Sequence, residues 1–378
     1  MVEIVSFIRQ QPDAVFILRS SLRCLDDQPS VLAAGRRAAG LVFRRASELG
    51  QKRRIVIKPN VTTSAEIDPQ TQTPFPGQEG VVTNPWFVAG FIDGLREIDD
   101  APVTVTDGTS FHAFNSRGYV RLMQERGIEV LSLNTPEFTE THYPTDGLNW
   151  YAVNGVVFRD LPFVRPIGDA DVFHINMPKM KAHNLAITTL SIKNQQGGVA
   201  LNYFRNFCIG VSALDSLPPR VRAHFQPDAR ERVEALLQEH VRAGFKRWNL
   251  QGVRDEGYAQ RAVDALDGAR PNLHVIEGCT IRDGTGFRHG TDRLGNYVIV
   301  GLNPVCVDAV ATWIMGHDPC QIGLYRIAHE RGRGENDPSR IAIFMGNGDD
   351  FRPVDYRELE RVPAGVYQQG DTSALVFF

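Results

Sequence analysis

Only six of the 41 Lys and Arg residues in this chain are lysine, and three of those six, Lys179, Lys181 and Lys193, fall between Asp171 and Gly198. Arg offers a planar, permanently charged fork. Lys offers a compact ammonium that can approach as a point charge, lose its proton or form a Schiff base, so the two do not substitute for each other at a site. In a chain that uses Arg for most of its cations, a lysine cluster marks positions where the ammonium itself is required. The stretch reads DVFHINMPKMKAHNLAITTLSIKNQQGG. Extended backbone through Lys179, Lys181 and His183 puts all three on one face. Two ammonium groups about 6 to 7 Å apart repel by roughly 2 to 3 kcal/mol at an effective dielectric near 20. Something anionic should therefore lie between them.

Further chemistry-bearing residues stand at the ends of strand-like runs. RIVIKPN ends in Lys58 and Asn60, VTVTDGTS carries Asp107 and Thr109, and LHVIEGCTIRDGTG carries Glu277 and Asp283. Together with His183, which titrates near neutrality when unperturbed, they suit a small anionic substrate: a carboxylate, phosphate or diphosphate. In this reading Lys181, His183, Glu277 and Lys58 are catalytic, and Lys179, Lys193, Asn194, Asn60 and Thr109 bind substrate. Asp107 and Asp283 are candidate Mg²⁺ ligands should the anion be a diphosphate. Three chemistries fit: acid-base and electrostatic catalysis, covalent catalysis by a Lys of lowered pKa, or a non-catalytic binding or redox-accessory role. The first two lead to a lyase, isomerase or transferase.

The elements that must position these groups follow from the pattern. Ser30 is an N-cap candidate for a helix running to Gly50, and Asn84 with Pro85 opens another over PWFVAGFIDGLREI. Asn184 is a cap candidate for the apolar run LAITTLSI, which fits a short helix or a strand, and Gly197 and Gly198 stop it. Asp308 stands near the start of an apolar helix, where an acid complements the macrodipole. Strands alternating with helices predict an α/β fold with a mixed, largely parallel sheet flanked by helices. The chain divides into an N-terminal lobe (1–150), a second lobe carrying the lysine-rich segment (151–350) and a tail packed on the core (351–378). Residues 61–82, polar and rich in Pro, Gly and Thr, predict a loop covering the substrate.

PKMKAHN followed by TTLSIKNQQGG resembles the signature of the domain of unknown function 362 family. IVIKPN, VVTNP, VTVTDGTS, VIEGCTIRDGTG and NPVCVDAVATWIMG follow in the order that family shows, over about residues 50 to 350. Many of its members carry ferredoxin-type Cys runs. Here the five cysteines are scattered without a CxxC pair, so no iron-sulfur cluster is expected. A weaker analogy is to nickel-pincer racemases, which use a Lys and several His, but His112, His174, His183 and His289 are dispersed.

A formal charge of −3 gives no reason to expect nucleic acid or an anionic membrane as partner. No apolar run approaches the ~18 residues of a spanning helix, and the first residues lack a cleavable leader pattern. The expectation is a cytoplasmic protein acting on a small anionic substrate.

Overall fold

The computed structural model describes residues 2–46, 52–70, 77–134, 147–200, 202–208, 210–244, 252–287, 289–346, 351–367 and 372–378. The middle of the 61–82 loop, at 71–76, and Lys246 lie outside these. Among the described residues an 11-stranded sheet organises the chain. Its strands in chain order are β1 (Val15–Arg19), β2 (Arg54–Pro59), β3 (Val103–Asp107), β4 (Glu129–Ser132), β5 (Val172–Met177) and β6 (Lys179–His183). There follow β7 (Ile187–Thr189), β8 (Leu273–Arg282), β9 (Asp292–Gly301), β10 (Ile343–Gly346) and β11 (Phe351–Val354). The spatial order is β11-β10-β1-β9-β8-β5-β2-β3-β4, with β6 paired to β8 and β7.

The run β8-β5-β2-β3-β4 is parallel throughout, whereas β9 and the edge strand β11 run antiparallel to their neighbours. The α/β expectation of a mixed, largely parallel sheet therefore holds. Strands on either side of residue 150 pair directly, β2 with β5 in register from Arg54↔Val172 to Pro59↔Met177. Residues 351–354 supply the sheet edge, and Leu359, Ala364 and Val366 of the tail are buried.

Both faces of the sheet are covered, as a parallel sheet requires. Ile55 and Ile57 of β2 pack with the helices Gln28–Val42 and Pro85–Ile98, while Val56 belongs to the core of the opposite face. Period-two alternation thus sends Lys58 to the Val56 side. The two helices cross closely because Gly35 and Gly90 are bare: a Cβ at Gly90 would fall 1.9 Å from the Leu32 carbonyl oxygen. The first helix is capped by Asp27, whose side chain accepts from the Ser30 amide, so Ser30 is inside the helix and not its cap. Asn84 does cap the second, accepting from the Trp86 amide, with Pro85 at the first helical position.

At the carboxyl end of β5 the chain departs from simple alternation. Pro178 cannot donate to a ladder, and past it the chain moves beside the distal half of β8. β8 pairs with β5 at Leu273↔Ile175 and His274↔Asn176, then with β6 at Lys179↔Glu277 and Lys181↔Arg282, with a register shift in between. β6 then turns back antiparallel into β7, pairing Lys181 with Thr189. The lysines are thereby carried past the end of β5, over the carboxyl edge, where open α/β sheets bind ligands.

Candidate active site

Two neighbouring cavities occupy this edge. The larger, about 450 Å³, is lined by Lys58, Asn60, Thr109, Lys193, Asn194 and Arg205, together with Asp107, Gln196 and the hydroxyls of Thr62, Thr63, Ser64 and Ser110. The smaller, about 170 Å³, is lined by Lys181, His183, Thr189 and Phe287 and shares Asn60, Thr62, Thr63 and Lys193 with the first. Eight of the eleven residues named from the sequence therefore line one cavity or the other; Lys179, Glu277 and Asp283 line neither.

Lys58 is buried at the end of β2, its Nζ 2.7 Å from Asp107 Oδ1 and donating to Asn194 Oδ1 at 3.1 Å. Burial lowers its pKa, opposed by the adjacent Asp107. Asp107 also accepts from the backbone amides of Val61 and Gly108 at 2.7 and 2.8 Å. It serves as the counter-ion of Lys58 and the anchor of the loop start. A Cβ at Gly197 would fall 2.1 Å from Asp107 Oδ1 and 2.7 Å from Lys58 Nζ, so only glycine lets this backbone lie on the pair.

The segment that brings Lys193 is not a helix begun by Asn184. β7 comes first, and a single turn, Ser191–Asn194, follows. Its free amides are met from afar: Asp308 Oδ1 and Oδ2 accept from Ser191 and Ile192 at 2.7 and 2.8 Å. Asp308 thus caps this turn and not its own helix, Pro304–Ile314, which is capped by Asn303. Full burial raises the Asp308 carboxyl to about 7 despite the two amides. Asn194 then locks the turn to the sheet, donating to the Lys58 carbonyl at 3.1 Å and to Asn176 Oδ1 at 2.7 Å.

The two lysines of β6 meet different fates. Lys179, wholly buried, donates to Glu277 Oε2 at 2.6 Å and to Thr280 Oγ1 at 2.7 Å. Glu277 further accepts from the amides of Asn84 and Cys279 at 3.0 Å. This pair is internal, so Lys179 as a substrate ligand and Glu277 as a catalytic base are both displaced: the anion that the spacing demanded is supplied by the protein, deep under the site. Lys181 has no such carboxylate. Its Nζ donates to the Val81 carbonyl at 2.5 Å, and burial, with Lys193, Arg117, Lys179 and Arg282 nearby, pushes its pKa well below the ordinary lysine value.

His183 Nδ1 accepts from the Leu185 and Ala186 amides at 3.1 and 3.0 Å. The neutral ring therefore carries its proton on Nε2. Burial, with Lys193 and Lys181 close by, keeps the ring neutral well below the usual pKa. These two bonds hold a turn that ends at Ile187, whose φ of 65° is strained for a β-branched residue.

Asp283 accepts from the Thr291 amide at 2.6 Å and from Arg293 at 3.3 Å, and pins its own glycine-rich loop. It shares no cavity with Asp107, and among the described residues no group of three or more His, Cys, Asp or Glu stands ready to hold a metal. The proposed Mg²⁺ pair is thus not assembled.

Arg205, invisible in the sequence, enters the larger cavity from a short helix, Asn202–Arg205. It donates to the Gly108 carbonyl at 2.6 Å and to Asn134 Oδ1 at 3.1 Å, and burial lowers its pKa. Lys193 has no hydrogen-bond or ion-pair partner among the described residues, and burial lowers its pKa too. The arms of the 61–82 loop are tied down around the cavities. Arg117 donates to the carbonyls of Thr63 and Ser64, Gln78 bonds both ways with the Glu66 backbone, and Lys181 holds Val81.

Fold and site together define an open α/β protein with a cation-lined cleft at the carboxyl edge of its parallel strands. The chain belongs to the family described as Domain of unknown function (DUF362), which it matches over residues 55–313. It is 23% identical over 273 residues to the thylakoid-associated protein sll1697 of Synechocystis sp., an alignment covering 71% of this chain and 65% of that relative's length. A crystal structure of a protein from Thermotoga maritima superposes with a TM-score of 0.38 and 9% identity, covering 76% of this chain and 58% of that one. No described helix is long and apolar enough to cross a membrane.

Proposed function

We propose that the cleft binds a small substrate bearing a carboxylate or phosphate and acts on it by proton transfer, as a lyase, isomerase or transferase. The observation that carries this is Lys193: it borders both cavities and has neither a carboxylate nor a hydrogen-bond acceptor among the described residues. Arg205, in the same cavity, spends its donors on a carbonyl and an amide oxygen. Asp107 attracts both from a distance but is itself paired with Lys58, so two partly buried cations are left without a bonded counter-charge, and an anion between them offsets that cost. Thr109 and the Thr62–Ser64 hydroxyls add neutral donors around it.

The smaller cavity supplies the proton chemistry. Burial and neighbouring cations disfavour the Lys181 ammonium, so this side chain can give up and take back a proton, and His183 Nε2–H can donate a hydrogen bond to negative charge that develops beside it. The test is a thermal-shift series with phosphate, diphosphate and malonate on the full chain. Saturable stabilisation that Lys193→Met abolishes supports the reading; no response to any of the three anions defeats it.

A further inference from the structure

The two cavities share Lys193, Asn60, Thr62 and Thr63, so one ligand can reach into both. At about 170 Å³, the smaller is roughly the liquid volume of five or six waters, which limits the inserted arm to a few heavy atoms. Two buried polar atoms on residues that line this space have no hydrogen-bond partner among the described residues: Asn60 Oδ1, on a residue 7% exposed, and Thr189 Oγ1, on one 1% exposed. Thr189 is the cross-strand partner of Lys181. Native proteins rarely leave such atoms unpaired, and a polar arm lying between them would satisfy both.

Lys181 is set apart from the other lysines of the sheet edge. Lys58 and Lys179 each have a carboxylate within 2.7 Å. Among the described residues Lys181 has only the Val81 carbonyl, a neutral acceptor that favours the ammonium less than a carboxylate does. A lysine whose ammonium is disfavoured, in a small, partly enclosed pocket beside a second cation and an imidazole, is the arrangement in which a lysine attacks a carbonyl carbon.

We infer that the smaller cavity is a Schiff-base site, in which Lys181 condenses with the aldehyde or ketone of a short oxo compound whose carboxylate or phosphate lies between Lys193 and Arg205. This rests on the anion-binding reading of the larger cavity. The Nζ lone pair forms the C–N bond as the carbonyl π pair moves to oxygen. That oxygen takes a proton, and nitrogen gives one up. The carbinolamine then loses its hydroxyl, protonated, as water, and C=N remains. Carbonyl and amine become imine and one water, with no oxidant or reductant. The proton that nitrogen gives up is the one that oxygen takes, His183 Nε2–H hydrogen-bonds to the oxyanion as it forms, and the protonated C=N draws electrons from the adjacent C–H or C–C bond.

The experiment is reductive trapping on the full chain, with pyruvate as the carboxylate probe and glycolaldehyde phosphate as the phosphate probe. Each is combined with cyanoborohydride and read by intact mass and peptide mapping. The expected result is one adduct per chain on Lys181, suppressed by inorganic phosphate, with the better probe identifying the anion. Lys181→Arg should abolish it. Lys193→Met, which keeps Lys181, should raise the probe concentration for half-labelling about tenfold. Labelling spread evenly over exposed lysines overturns the inference. Absent labelling, with a Lys193-dependent phosphate shift intact, overturns the Schiff base and leaves the anion reading standing. Absent labelling and absent shift overturn both.

Discussion

Lys179 and Lys181 lie two residues apart on one strand, are both buried, and are put to opposite use. Lys179 is closed off by Glu277 and Thr280, with Glu277 in turn held by two backbone amides. Lys181 is left facing a cavity, with a carbonyl as its one partner among the described residues. Lys58 repeats the first pattern through Asp107, and Lys193 the second. The difference teaches that burial alone does not mark a functional cation. The proposed site is built instead on lysines that lack a paired carboxylate among the described residues.

The contrast breaks most visibly at the closed pair. Glu277→Gln leaves Lys179 charged and uncompensated in the interior, and should cost about 3 to 5 kcal/mol in urea unfolding. A loss below about 1 kcal/mol would mean the pair is not the internal lock described. Gly197→Ala should come next, at about 1 to 3 kcal/mol, because its methyl group would drive Asp107 and Lys58 apart.

On the open side the effects should appear in ligand response and pH dependence. Lys181→Met tests this through linkage. A lysine whose folded pKa is depressed binds fewer protons folded than unfolded, so stability rises with pH through the window between the folded value and the ordinary 10.5. The variant should flatten that slope; an unchanged slope would place Lys181 among the ordinary ammonium groups. Asp308 should carry a pH slope of the opposite sign. Its folded pKa is raised to about 7 from 3.8, so its ionisation costs stability as pH climbs between those values. Asp308→Asn should remove that part of the pH slope, and the stability difference between variant and parent should level off above pH 7.

How much of this was legible depends on whether a residue's role is local. The strand ends at Lys58, Asp107 and Lys181, the Asn84 cap and the α/β class follow from alternation and capping chemistry, which are short-range. The lysine-rich stretch also led to Lys193, Asn194 and His183. The misassignments, Ser30 apart, are long-range. Glu277 stands out in the sequence as a strand-end carboxylate, but nothing in one dimension shows that Lys179 takes it whole. Asp283 lies one residue past the end of β8, where its carboxylate accepts from Thr291 and Arg293. Arg205 had no signal, being one Arg among many in a segment without periodicity, and Ser30 and Asn184 were displaced as caps by Asp27 and Asp308.

The cap that Asp308 provides lies 117 residues beyond the Ser191 amide it receives. On a ribosome, where domains mature from the N-terminus onward, Lys193 is made early but its turn is secured only once the Pro304–Ile314 helix has emerged. The nascent protein can therefore build most of the sheet before the Lys193 turn is secured, and under the proposed anion-binding reading truncations ending before that helix should be blind to phosphate even where they remain structured.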